Sequence, residues 1–348
     1  MNVTETDLFN PEVDNVDIKM FTGSTTGLID MIDQSIPNFY QKHTEAMFAN
    51  VWHPLKYAVE NDSKDFKNLS SLKKEALDRC LSHLTNLDSL QVNNLPNISK
   101  YIRYSEVKGV LAYQEMEESM HSFSYAYIYN SLYNKTDARR VRDLVKTDPV
   151  MRARAVQIAR DYASLDDKTV KGMLPIMLTN LILEGVMFYS IFNYFFSLAY
   201  QGVMKNTSTV ISWIKKNEVT HIAIFVDMLL RYKEDYPEYW DEEFILNFLK
   251  SAAVDEAKYS TYIIGDGILG FSASNIELYT QHRMNKLCRQ LGLPKLFVNA
   301  ENTFLHLERV GNVENVDSVE TGIFETDSVN YFDPSTKIKD FKEFKNAK

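Results

Sequence analysis

Glu118 and His121 stand three residues apart, as do Glu218 and His221; of the seven histidines, only these two follow a glutamate at that spacing. Positions three or four apart share one face of a helix, so each pair presents a carboxylate and an imidazole together. Both faces are otherwise apolar: Val107, Leu111, Tyr125 and Ile128 accompany the first pair, and Ile211, Ile214 and Phe225 the second. Two further acids sit on core-facing stripes. Asp88 continues the run Leu77, Leu81, Leu84, and Glu184 is followed by Phe188 and Phe192. Ionised carboxylates in an apolar interior neutralise, pair or coordinate a metal. With no inward Lys or Arg to match them, metal is the economical outcome, and an oxygen-rich set with one imidazole per ion suits two transition ions.

A single Glu-x-x-His is usually a solvated helix face. Two of them, each with an inward acid on the preceding helix, favour a dinuclear site, whereas His43, His53, His83, His282 and His306 lack such partners and read as structural. Tyr125 lies one turn beyond His121. Its spacing fits either a hydrogen-bonded core tyrosine or a phenol beside the metals, with Phe188, Phe192 and Ile214 as an apolar pocket that would shield a phenoxyl radical from water.

Long helices must carry these residues. The chain has 348 residues with only Gly 12 and Pro 9 against Tyr 20, Phe 20 and Met 13, which favours helices over strands or disorder. Residues 1–40 read as an N-terminal arm, with turn signals at Asn10-Pro11 and Gly23–Gly27; residues 41–300 form the helical domain and residues 301–348 a flexible C-terminal tail. Helix breaks are expected near Asp62–Ser63, Asn93–Asn97, Asn134–Asp137, Asp166–Asp167, Asn206–Ser208, Tyr236–Pro237 and Gly265–Ser274. Between Glu314 and Asp333 there are six acidic residues and no basic one, punctuated by Phe324, Tyr331 and Phe332, as in a tail that docks through a few aromatic anchors. A net charge of −9 argues against a nucleic-acid partner. Cys80 and Cys288 are too few for a disulfide framework, so a reducing cytoplasm is expected. The acidic start, without an apolar run, does not read as a signal peptide. Met173–Tyr200 is long enough to cross a bilayer, but Pro175, Asn180, Glu184 and Asn193 fit the core helix of a bundle better, and no membrane is expected.

The ordered set resembles the radical-generating small (beta) subunit of class I ribonucleotide reductase, a ferritin-like dinuclear metal–carboxylate family. The resemblance is carried by Leu87-Asp88-Ser89-Leu90-Gln91, by Glu118-Ser119-Met120-His121-Ser122-Phe123-Ser124-Tyr125, by residues 184–192 and by Glu218-Val219-Thr220-His221. Trp52-His53-Pro54 upstream and residues 253–270 downstream extend it. It implies an all-α, ferritin-like bundle with additional helices, and metal ligation by Asp88, Glu118, His121, Glu184, Glu218 and His221. The two ions would be iron first, with manganese or a mixed pair also accommodated, joined by an oxo or hydroxo bridge derived from O2. Tyr125 matches the radical tyrosine. Trp52 starts the path to a large (alpha, catalytic) subunit that reduces ribonucleotides, and Tyr331 in the docking tail is the relay candidate. A homodimer is implied; an activating flavoprotein stays open. The family usually has Asp before the second Glu-x-x-His glutamate, where this chain has Asn217. An amide cannot supply the negative charge that holds an imidazole N–H, so a radical path with altered proton coupling is expected. The rival readings are a ferritin-like oxidase or monooxygenase and a non-catalytic iron-binding bundle.

Overall fold

The computed structural model describes residues 1–163, 168–265 and 267–312. These are helical, in the order α1 (Phe39–Ala49), α2 (Ser63–Asn68), α3 (Ser71–Ser99), α4 (Ser105–Leu132), α5 (Lys135–Arg142), α6 (Leu144–Thr147), α7 (Pro149–Ala163) and α8 (Val170–Ile182). A π-helical turn, Leu183–Met187, leads into α9 (Tyr189–Tyr200), followed by α10 (Lys205–Asp235), α11 (Glu242–Ile264), α12 (Ala273–Gln290) and α13 (Leu305–Val310). Several helices begin where a short polar side chain can take a free N–H of the first turn. Thr169 accepts from Gly172 at 3.1 Å, Asp241 from Phe244 at 2.9 Å and Ser272 from Asn275 at 3.1 Å.

Two expected breaks are not where the composition placed them. Helix α3 runs through Asn93–Asn97 because the asparagines bond back to it. Asn93 Nδ2 donates to the Ser89 carbonyl at 2.9 Å and Asn97 Nδ2 to that of Asn93 at 3.0 Å, while Asn94, Leu95 and Ile98 are buried. Tertiary burial outweighs the local signal of Pro96. Helix α10 likewise includes Asn206–Ser208, and the break falls just before it, where Met204 adopts φ 55°. The cap comes from far away in sequence: Asp62 accepts the Thr207 N–H and hydroxyl, each at 2.7 Å. The break expected at Asp166–Asp167 lies outside the described residues.

The arm has little regular structure but its anchors are buried. Met20 donates its N–H to Asp235 at 2.8 Å and Phe21 to the Tyr236 hydroxyl at 2.9 Å. At the other end, packing continues past residue 300: Phe304 is buried, stacked on Phe271 with centroids 4.8 Å apart, and Leu307 is buried on α13. The remainder of the tail, with Tyr331, lies outside the described residues. Among the described residues one stretch, Val170–Tyr200, is long and apolar enough to cross a bilayer, and 94% of its most apolar window is buried inside the helical body.

Candidate metal centre

Helix α3 brings Asp88 inward, α4 brings Glu118, His121 and Tyr125, the π-helical turn brings Glu184, and α10 brings Glu218 and His221. All six candidate ligands are 0% exposed. Their donor atoms form two groups, each drawn together within 4.8 Å: Asp88, Glu118, His121 and Glu218, and Glu118, Glu184, Glu218 and His221. Glu118 and Glu218 belong to both. His121 Nδ1 is 3.4 Å from Glu118 and 3.3 Å from Glu218, and His221 Nδ1 lies 3.1 Å and 3.0 Å from the same two residues. Both Asp88 oxygens, Glu118 Oε2, Glu184 Oε2, Glu218 Oε1 and His121 Nδ1 are buried without a hydrogen-bond partner. Buried acceptors are not ordinarily left unsatisfied. Their convergence fits a pair of cations.

Without cations the centre must hold protons. Burial, reinforced by the neighbouring carboxylates, pushes Asp88 and Glu184 well above the usual carboxylate range. Burial opposes charging the two imidazoles, but Glu118 and Glu218 overrule it and hold His121 and His221 well above the ordinary histidine value. A metal ion needs neutral imidazole and ionised carboxylate, so its uptake displaces these protons. Raised pKa values keep the protons on until the pH climbs through them. The apparent Kd for Mn(II) is therefore expected to fall steadily from about pH 5 to 8, with protons released on binding. Isothermal titration in buffers of different ionisation enthalpy measures both, and an uptake independent of pH would contradict this proton inventory.

The π-helical turn solves a positioning problem. One widened turn displaces Glu184 and Gly185 from straight helical register, a device often found at functional sites. Gly185 is there for close approach: a Cβ would come within 2.8 Å of Leu287 on α12. Arg283 of α12, buried over the Tyr189 ring, donates to the Gly185 carbonyl at 3.0 Å and so satisfies the loosened backbone. Gly185→Ala should cost roughly 1–3 kcal/mol by overpacking, read from the urea midpoint of metal-free protein. An unchanged midpoint would mean that Leu287 yields freely.

Groups behind the ligands complete the arrangement. Gln91 and Gln114 both donate to Glu184 Oε1, the latter at 3.0 Å, and the Tyr162 hydroxyl donates to Gln91 at 2.8 Å. Asn217 lies between three partners. Its Oδ1 accepts from Trp52 Nε1 at 2.7 Å and from His121 Nε2 at 3.2 Å, and its Nδ2 donates to Glu117 at 2.7 Å. The other Glu117 oxygen meets His221 Nε2 at 2.9 Å. Trp52 is buried and stacked on Trp213, with centroids 6.1 Å apart. Sequence reasoning missed Glu117, Gln91 and Gln114. A signal was present for Glu117, since it precedes Glu118 just as Asn217 precedes Glu218.

Tyr125 is fully buried and its hydroxyl has no hydrogen-bond partner. Burial, with the charge of Asp88 as the next cause, holds the phenol well above its ordinary range. Phe188, Phe192 and Ile214 are fully buried, and the two phenylalanine rings stack with centroids 5.4 Å apart. Two of the histidines read as structural have partners elsewhere: His43 on Asp227 at 2.8 Å and His83 with the Tyr259 hydroxyl at 3.1 Å.

The sequence pattern described as "Ribonucleotide reductase, small chain" matches residues 28–303. The ribonucleoside-diphosphate reductase subunit beta of Treponema pallidum is 29% identical over 326 residues, covering 92% of this chain and 93% of that one. Among solved structures, the ribonucleotide reductase R2 subunit from Clostridium botulinum superposes with a TM-score of 0.85 at 28% identity, covering 89% of this chain and 99% of that one. A putative class I ribonucleotide reductase from Bacillus halodurans gives 0.80 at 26% identity, covering 88% and 99%. These neighbours share the ferritin-like helical fold, and the buried carboxylate–histidine cluster falls in its core. The chain belongs to the ribonucleotide reductase small-chain family and is a subunit of a ribonucleoside-diphosphate reductase.

Proposed function

We propose that this subunit stores an oxidising equivalent as a radical on Tyr125 and passes it to a large catalytic subunit, where ribonucleotides are reduced to deoxyribonucleotides. The observation that carries the reading is the convergence of six buried ligands in two groups sharing Glu118 and Glu218, with the Tyr125 phenol buried under the influence of Asp88. A pair of reduced ions, iron first and manganese or a mixed pair as alternatives, supplies when bound the electrons that reduce O2 and the potential to oxidise a phenol.

The chain's own residues do the rest. Asp88, Glu118, His121, Glu184, Glu218 and His221 hold the ions. The Tyr125 hydroxyl, held neutral by burial and the neighbouring acid, has to give up its proton together with its electron; Asp88, the acid that acts on it most strongly, would take that proton. Phe188, Phe192 and Ile214, all fully buried, would be the apolar shell that keeps water from the phenol. Trp52 leads outward from His121 through Asn217, and Tyr331 in the tail completes the relay to the large subunit. Homodimerisation, tail docking, a cytoplasmic setting and the need for an activating flavoprotein are parts of the same reading.

The test loads the metal-free protein with Fe(II) or Mn(II), admits O2, records electron paramagnetic resonance, and then adds the large subunit with a ribonucleoside diphosphate. A tyrosyl signal and deoxyribonucleotide formation dependent on both subunits are expected. Substrate oxidation by this chain alone would move the assignment to a bundle oxidase.

A further inference from the structure

We propose that Glu117 is the positioning residue that fixes both ligand imidazoles, and that Asn217 is its obligate partner and not a weakened aspartate. The inference rests on the two-metal reading only for the direction in which the rings must face. Each imidazole turns Nδ1 towards the carboxylate cluster and Nε2 away from it. For Nδ1 to offer a lone pair, Nε2 must carry the proton and needs an acceptor behind it.

The donor and acceptor types around Asn217 leave one arrangement. Trp52 Nε1 can only donate, so the amide oxygen must face it, and the same oxygen serves His121. The amide nitrogen is thereby directed at Glu117, whose carboxyl oxygen accepts from it at 2.7 Å. The second Glu117 oxygen accepts from His221 Nε2 at 2.9 Å. Five residues, Trp52, His121, Asn217, Glu117 and His221, are thus joined in a single network of bonds that reaches both imidazoles, and Glu117 is only 2% exposed. The two residues that precede the Glu-x-x-His glutamates act crosswise, each bonding the imidazole of the other motif. The carboxyl group missing from position 217 stands at position 117, directly behind His221 and one amide removed from His121 and Trp52. The altered proton coupling expected from Asn217 thereby gains a partner: the amide is what a carboxylate at 117 requires.

Single substitutions must then break the chain in opposite ways. Glu117→Gln offers one oxygen and one NH2 to two donors, so either Asn217 or His221 meets a donor, and His221 can escape only by moving its proton to Nδ1. Asn217→Asp places two carboxylates where the separation is 2.7 Å, with no hydrogen between them. Combining the two restores every bond: the carboxylate introduced at position 217 accepts from Trp52 and His121, and the amide introduced at position 117 donates to it while accepting from His221.

The experiment is a double-variant cycle on the full chain with two readouts. In metal-free protein brought to a pH high enough to leave His221 neutral, nitrogen–proton NMR should show a hydrogen-bonded His221 Nε2–H that is lost in Glu117→Gln and recovered in the double variant. In Mn(II) titration, each single variant should lose about 10–100-fold in affinity, and the double should return to within about threefold of the parent. A double variant whose loss equals the product of the singles, or one that fails to fold, would overturn the proposal. Recovery of the NMR signal without uptake of two ions would uphold the bonding chain and sink the two-metal reading instead.

Discussion

Tyr125→Phe should remove the tyrosyl resonance and bring turnover with the large subunit down to background, a fall on the order of 10³ or more, while the protein still takes up two ions. The contrast with stability makes the test sharp. The substitution deletes one oxygen atom, and that oxygen has no hydrogen-bond partner among its buried neighbours. Removing an unsatisfied buried hydroxyl costs nothing in lost bonds and is close to neutral or slightly stabilising. The ring itself, fully buried on α4, keeps its packing. The unfolding midpoint should accordingly move by less than about 1 kcal/mol in either direction. A radical signal that persisted in Tyr125→Phe would relocate the stored equivalent to another of the chain's tyrosines. A large fall in stability would show that the hydroxyl is a structural bond after all.

The six candidate ligands were legible in the sequence because burying a charge is so costly that its presence on an apolar stripe is informative. Asp88 at the end of Leu77, Leu81 and Leu84 could be placed without coordinates, as could the two Glu-x-x-His pairs and the lone acid Glu184. Periodicity says which face a residue occupies, and here that suffices, since helices this long have a single inward face. It does not say which polar residues one step off the stripe are also drawn in. Glu117 lies beside Glu118, and by a single-face reading it belongs at the margin; it is nevertheless buried, bonded to Asn217 and His221 of α10. Gln91 and Gln114 were hidden in the same way. Helix ends failed for a related reason. Asn93–Asn97 and Asn206–Ser208 carry local breaking signals, but their asparagine side chains or a distant carboxylate, Asp62, satisfy the helix instead. Long-range caps leave no mark in the neighbouring sequence. The π-helical turn had only the pair Glu184-Gly185 inside an apolar helix to announce it, and the need for that glycine is set by Leu287, about a hundred residues away.

Glu118→Gln should cost both ions, whereas Asp88→Asn and Glu184→Gln should cost one each. The difference follows from how the donors are shared. Glu118 supplies an oxygen to each group of four, while Asp88 belongs to one group and Glu184 to the other. An amide of the same shape keeps the packing but withdraws the negative charge and turns one donor atom into an NH2. Altering a residue merely behind a ligand typically weakens binding by 10–100-fold, so loss of a shared ligand should exceed about 100-fold at both positions. In the metal-free protein the same substitution should matter little. Glu118 loses its attraction to His221, but the repulsion from Glu218 is relieved at the same time. Thermal unfolding with and without Mn(II) separates the two effects: at a hundredfold excess over the Kd, bound metal raises the stability of the parent by about 2.7 kcal/mol per site, and that increment should vanish in Glu118→Gln. Metal analysis after dialysis gives the stoichiometry independently. If Glu118→Gln retained one tightly held ion, the carboxylate would not bridge the two groups, and the centre would have to be redrawn as two separate mononuclear sites joined only by Glu218.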